Sequence, residues 1–184
     1  MPASAPTPSC VDDVIVAPAP APELKTSRVT DALLRLSQSL AQEPDLAVQR
    51  LVETAMELTK ADSAGVSLEE DDATQFRWIA TAGEFSRYLN GTMPRDFSPC
   101  GTVLDRGRSL VMREPHRHFH YIADLVHVPI KSVLLVPFGR RGKLVGTVWV
   151  ATHRGERSFT ERDLRAVQDL TTFATAILDA RSRV

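Results

Sequence analysis

An α+β fold is the class this sequence predicts, with one antiparallel sheet and helices gathered on one of its faces. Three observations carry it. Apolar residues recur at helical spacing near both ends of the chain, and between them the period falls to two. The strands come in runs, with no helix alternating between them, so parallel βαβ units are excluded. Length agrees: 184 residues suit one domain plus a tail.

Residues 1–22 contain six prolines and five alanines. Ala17-Pro18-Ala19-Pro20-Ala21-Pro22 favours extended polyproline II and cannot build a core. Residues 1–25 are therefore expected to be a disordered arm and 26–184 a single folded domain. The first helix is marked by Val29, Leu33, Leu36 and Leu40, one stripe at i, i+4, i+7 and i+11. Glu43-Pro44-Asp45 interrupts it, because the residue before proline disfavours helix and Asp45 can cap the next one. Val48, Leu51, Val52, Ala55 and Leu58 form the second stripe.

From Ser63 the pattern alternates. Ala64, Val66 and Leu68 share one side of a strand, and Glu69-Glu70-Asp71-Asp72 reads as a solvated turn. Phe76 and Trp78 alternate with Arg77 and Ile79 in a second strand, closing a hairpin. An irregular excursion, Ala82 to Arg108, precedes a short strand at Ser109–Met112 and a histidine-rich loop. Ser132–Phe138 and Lys143–Thr152 are the strongest strands, joined by Gly139-Arg140-Arg141-Gly142, whose glycines suit a hairpin turn. The last helix opens at Thr160, with Asp163 placed to complete a capping box. Leu164, Val167, Leu170, Ala174, Ile177 and Leu178 then run to the end of the chain. Trp78 and Trp149, both on strands, are expected to pack on the sheet.

Charge narrows the function classes. Lys and Arg number 22 against 23 acids, and residues 23–184 alone carry +1. A protein that neutralises nucleic-acid phosphates or an anionic membrane would be far more basic. No apolar run approaches the roughly 18 residues of a membrane span. Two cysteines 90 positions apart do not make a disulfide framework, and a secretory leader is not evident. A cytoplasmic setting is expected, with neither nucleic acid nor membrane as partner.

The candidate chemistry lies in the excursion. Ser98 can cap a short helix, Pro99 suits its first position and Gly107 its end. Cys100 would sit in the first turn, where the helix dipole favours thiolate; it could anchor a ligand or fill a buried niche. His116, His118 and His120 would share one face of an extended segment, with His127 close behind. Such a set could hold a metal, bind haem or respond to pH, or simply face water in a pocket lid. Arg95, Arg106, Arg108 and Arg113 could meet an anionic ligand or remain solvated.

Over residues 30–180 the chain resembles a GAF domain, a sensory module related to PAS domains. The resemblance rests on Ala64-Gly65-Val66-Ser67-Leu68, on Pro94-Arg95-Asp96-Phe97-Ser98-Pro99-Cys100-Gly101, and above all on the late block. That block is Gly146-Thr147-Val148-Trp149-Val150-Ala151-Thr152-His153 followed by Phe159-Thr160-Glu161-Arg162-Asp163-Leu164. It looks like the final strand and dimerisation helix of GAF domains that precede bacterial histidine kinases.

The resemblance implies a five- to six-stranded antiparallel sheet, with the terminal helices on one face and the excursion covering the other. It also implies a non-enzymatic module that binds a small molecule and signals through its helices. A homodimer is expected through those helices, with Leu34, Leu164 and Phe173 as a second apolar stripe. A histidine kinase or other signalling protein is the partner to expect. Pocket residues are expected to be Asp96, Ser98, Cys100, Thr102, His118, His120, Tyr121 and His127.

The identity of any cofactor stays open. Bilin-binding members attach the chromophore to a cysteine that is typically followed by histidine, whereas Gly101 follows Cys100. The cyclic-nucleotide signature is not evident. The methionine-sulfoxide reductases of this class use two cysteines within the domain, and only Cys100 lies within it. A tetrapyrrole or redox sensor anchored at Cys100 or a loop histidine, and a ligandless dimerisation module, are the alternatives.

Overall fold

The computed structural model describes residues 28–140, 142–155 and 157–181; the proline-rich arm, with Cys10, lies outside them. Helices α1 (Arg28–Gln42) and α2 (Ala47–Thr59) precede strands β1 (Ser63–Glu69) and β2 (Gln75–Gly83). A 3₁₀ turn at Glu84–Tyr88 leads to β3 (Thr92–Pro94), α3 (Pro99–Arg106) and β4 (Leu110–Arg113). A second 3₁₀ turn at Pro115–Arg117 and a single helical turn, α4 (Ile122–Leu125), lead to β5 (Ser132–Arg140). Strand β6 (Lys143–Thr152) and helix α5 (Glu161–Arg181) complete the order. All six strands join one antiparallel sheet in the order β3-β2-β1-β6-β5-β4. The α+β expectation holds, with β3 as the edge strand that periodicity did not reveal.

Alternation divides the sheet into two unlike faces. Ala64, Val66, Leu134, Val136, Val148 and Val150 meet the buried stripes of α2 and α5. Leu51, Val167, Leu170 and Ile177 there are at most 1% exposed; each such side chain contributes about 1.5–3 kcal/mol. The opposite face carries Phe76, Trp78, Val133, Leu135, Trp149 and Ala151 beneath the excursion. Asp45 does not cap α2: Leu46 occupies that position without a side-chain cap. A backbone turn, with Leu46 N–H donating to the Glu43 carbonyl at 3.0 Å, leads into the helix instead. The capping box of α5 forms as expected. Thr160 N–H donates to Asp163 Oδ2 at 2.8 Å, and Asp163 N–H donates to Thr160 Oγ1 at 3.3 Å.

Strand β2 departs from simple alternation. Ser67 pairs with Trp78 but Val66 pairs with Ala80, so Ile79 is an extra residue. The bulge exchanges the strand's two faces: Phe76 and Trp78 point under the excursion, while Ala80 and Ala82 point to the helices.

Candidate functional site

Between the sheet and the excursion lies an apolar cavity of about 50 Å³. Its floor is Trp78, Val133, Leu135, Trp149 and Ala151, and its roof includes Phe85, Met93, Cys100, Ile122 and Val126. Gly65 makes this floor possible, since a Cβ there would lie 2.2 Å from the Trp149 ring. The indole Nε1 donates to Ser67 Oγ at 2.9 Å, which fixes the ring against β1. Phe85 packs edge-on to Trp78 and Trp149, with centroids 5.8 and 5.0 Å apart.

Helix α3 forms as its sequence predicts. Ser98 Oγ accepts from Gly101 N–H at 3.0 Å, Pro99 begins the helix, and Gly107 ends it in the left-handed region. Gly101 has a second role: a Cβ would lie 2.0 Å from the Arg95 carbonyl oxygen. Arg95 ties this helix to the sheet, pairing with Glu69 and Asp105 at 2.6 Å each. Its hydrogen bond holds the Asp105 carboxyl below the ordinary aspartate range.

The dipole does not make Cys100 a thiolate. The side chain is 2% exposed, and desolvation pushes the thiol above its ordinary range, outweighing the hydrogen bond that Thr147 Oγ1 donates to Sγ at 3.2 Å. Moving the charged form out of water costs more than one short helix returns. Tyr121, at the start of α4, has a buried hydroxyl with no hydrogen-bond partner. Burial, and then the nearby Cys100 sulfur, push its phenol above the ordinary range.

Of the eight residues expected to bind ligand, Cys100 lines the cavity and Tyr121 packs in the same apolar cluster. Ser98 is occupied as the cap, and Thr102 Oγ1 donates to the Ser98 carbonyl at 2.8 Å. Asp96, His118, His120 and His127 face solvent. The histidine segment is not extended. Glu114 at φ +44° and Pro115 wind it into a 3₁₀ turn, which breaks the alternation that would align the imidazoles. His118 packs against Phe97 and Phe119, centroids 5.3 and 4.6 Å away. Among the described residues no three His, Cys, Asp or Glu side chains converge to hold a metal.

One histidine outside that loop was missed as a site residue. His153, at the end of β6, is 4% exposed and stacks on Phe85 at 5.8 Å. Its Nδ1 lies 2.9 Å from the Pro129 carbonyl and its Nε2 2.7 Å from Ser63 Oγ. A carbonyl only accepts, so Nδ1 carries the proton, and in the neutral ring Ser63 donates to Nε2. Ser63 Oγ in turn accepts from Phe85 N–H at 3.2 Å. His153 thus ties the returning arm of the excursion to the sheet. At the other side, His127 N–H donates to Tyr88 Oη at 2.9 Å.

A GAF domain family model matches residues 41–179, most of the chain. This chain belongs to the GAF family. Its fold matches that of solved GAF structures. The GAF domain of a phosphoenolpyruvate-protein phosphotransferase from Coxiella burnetii superposes with a TM-score of 0.72 at 18% identity. That match covers 86% of this chain and 98% of the other. A phycoerythrobilin-bound GAF domain from a cyanobacterial phytochrome gives 0.67 at 14% identity, covering 82% and 94%. Free methionine-R-sulfoxide reductase from Neisseria meningitidis, solved with its substrate, gives 0.69 at 18%, covering 85% and 92%. No curated protein matches the sequence significantly. Sequence identities this low establish the GAF fold alone. GAF domains are generally sensory and regulatory, and many bind small molecules. Among the described residues of this GAF domain, no helix is long and apolar enough to cross a membrane.

Proposed function

We propose that this GAF domain is a non-enzymatic sensor that admits a compact, largely apolar molecule between its sheet and its excursion. The apolar cavity at that place carries the reading. Its walls offer aromatic rings and aliphatic chains with the Cys100 thiol among them, and the buried, unpartnered Tyr121 hydroxyl belongs to the same cluster. A thiol whose ionisation is suppressed by burial is a poor nucleophile, which supports binding over catalysis or covalent attachment. A cavity near 50 Å³ is small even for a benzene-sized guest, so uptake displaces the excursion. A tetrapyrrole would require far more room, and of the loop histidines that could anchor one, His118, His120 and His127 face solvent.

Transmission runs through the strands. Trp149 and Ala151 face the cavity while their neighbours Val148 and Val150 face α2 and α5. A ligand that binds one backbone setting of β5 and β6 more tightly shifts the helices on the reverse side. A homodimer through α1 and α5 would relay that shift to a signalling partner such as a histidine kinase. Leu34, 57% exposed, belongs to that outer surface, whereas Leu164 and Phe173 pack on the domain's own core.

The test is a native mass spectrum of the full chain, then titration with indole, monitored by NMR of the tryptophan side-chain N–H groups. Saturable shifts of both Trp78 and Trp149, lost when the cavity is filled by substitution, are expected. Absence of any shift with indole or benzene would favour a ligandless dimerisation module instead.

A further inference from the structure

A second site lies on the helical face, away from the apolar cavity. The register of β4, β5 and β6 places Arg113 opposite Ser132, and Ser132 opposite Thr152. Directly opposed residues point the same way, and alternation from Leu134 and Val150 puts this rung on the helix side. Two of its members are anomalous there. Ser132 and Thr152 are each 3% exposed, yet Ser132 Oγ and Thr152 Oγ1 have no hydrogen-bond partner. Buried hydroxyls are ordinarily paired, so an orphaned pair calls for a water or a ligand.

Above Ser132 opens a polar cleft of about 510 Å³. Its walls are Arg113, Glu114, Arg117, Lys131, Gly155 and Arg157. Charge is unbalanced. Glu114 reaches Arg117 at 2.7 Å and Lys131 at 3.6 Å, serving two cations with one carboxylate. Arg157 is engaged by Asp163 at 3.3 Å and by the Lys60 carbonyl at 2.8 Å. No acid among the described residues pairs with Arg113. Four cations therefore share two carboxylates, and adding Glu156, which precedes Arg157 in the sequence, still leaves the cations in excess.

The geometry points to a binding site for the phosphate group of a small phosphorylated molecule, held by Arg113, Arg117 and Lys131, with Ser132 Oγ donating to it. Guanidinium groups match the spacing of phosphate oxygens, and a hydroxyl donor at the floor gives the anion a direction. A dianion answers the excess of positive charge better than a carboxylate. The cleft includes Gly155 and Arg157 of the β6–α5 connection, so occupancy would act on the start of α5.

Inorganic phosphate is the probe, added to the ¹⁵N-labelled full chain at constant ionic strength, with acetate and sodium chloride as parallel titrants. Saturable amide shifts at Ser132, Gly155 and Arg157 are expected with phosphate and not with the other two. Arg113→Ala and Ser132→Ala should each weaken phosphate binding by at least about tenfold, the loss typical of a hydrogen bond to a charged group. Ser132→Ala should also unfold no earlier than the parent without phosphate, because it removes an orphaned hydroxyl. The assignment is overturned if phosphate causes no more than sodium chloride does, if acetate matches it, or if both variants bind as the parent does.

Discussion

Filling the apolar cavity with Ala151→Val should stabilise the domain and close the proposed ligand site together. Ala151 is 1% exposed, lies on β6 between Ser63 and Val133, and contributes to the cavity floor. A void of about 50 Å³ at about 24 cal/mol per Å³ represents about 1.2 kcal/mol of missing contact. Valine adds two carbons, worth at most about 1.6 kcal/mol of transfer at about 0.8 each, and its branched side chain suits a central strand. The expected gain is therefore about 1 kcal/mol, or about 2–4 °C in Tm for a chain of this size. Urea denaturation monitored by tryptophan fluorescence measures it, with the m value unchanged. Indole uptake should disappear in the same variant. Destabilisation beyond about 1 kcal/mol would mean that the floor is already fully packed. A stabilised variant that still takes up indole with parental affinity would place the binding site elsewhere.

Three further outcomes rest on the same geometry. Because burial raises the Cys100 thiol above its ordinary range, the unfolded chain ionises first. Stability is thus complete below about pH 8.5 and falls above it, by at most about 1.4 kcal/mol per pH unit. Urea melts between pH 8 and 10 should show that decline in the parent and a shallower one in Cys100→Ala. Gly101→Ala should cost about 1–3 kcal/mol, since its Cβ meets a backbone carbonyl at 2.0 Å; the same melts report it. His153→Ala should leave the Pro129 carbonyl and Ser63 hydroxyl without their partner, costing about 1–3 kcal/mol. Hydrogen exchange in residues 126–130 should then accelerate more than in α5.

Ala64, Val66 and Leu68 could be placed from sequence because one period holds along the whole of β1, and the capping box of α5 because its residues are local. The face exchange in β2 could not, since Ile79 becomes a bulge only through its pairing with β1. The course of the histidine loop was not legible for a related reason. Alternation means a shared face only in extended backbone, and Glu114 with Pro115 turns the chain away from it. The cavity draws Trp78, Phe85, Met93, Cys100, Ile122 and Trp149 from separate segments, so no local pattern joins them. His153 carried one usable signal, a lone imidazole ending a strongly apolar strand, where a buried polar ring must find partners. The rung of Arg113, Ser132 and Thr152 required the register of three strands.

The strand order also determines when the cavity can exist. Strands β1-β2-β3 form one meander and β4-β5-β6 another, and the two meet only along the β1–β6 seam. That seam joins residues such as Ser67 and Thr147, far apart in the chain and slow to find each other. Trp78, Phe85 and Met93 come from the first wing; Ile122, Val133 and Trp149 come with the second. Neither half of the chain builds the apolar cavity on its own. The cavity is a property of the closed seam, so a mutation that loosens β1 from β6 should open it before it unfolds either wing.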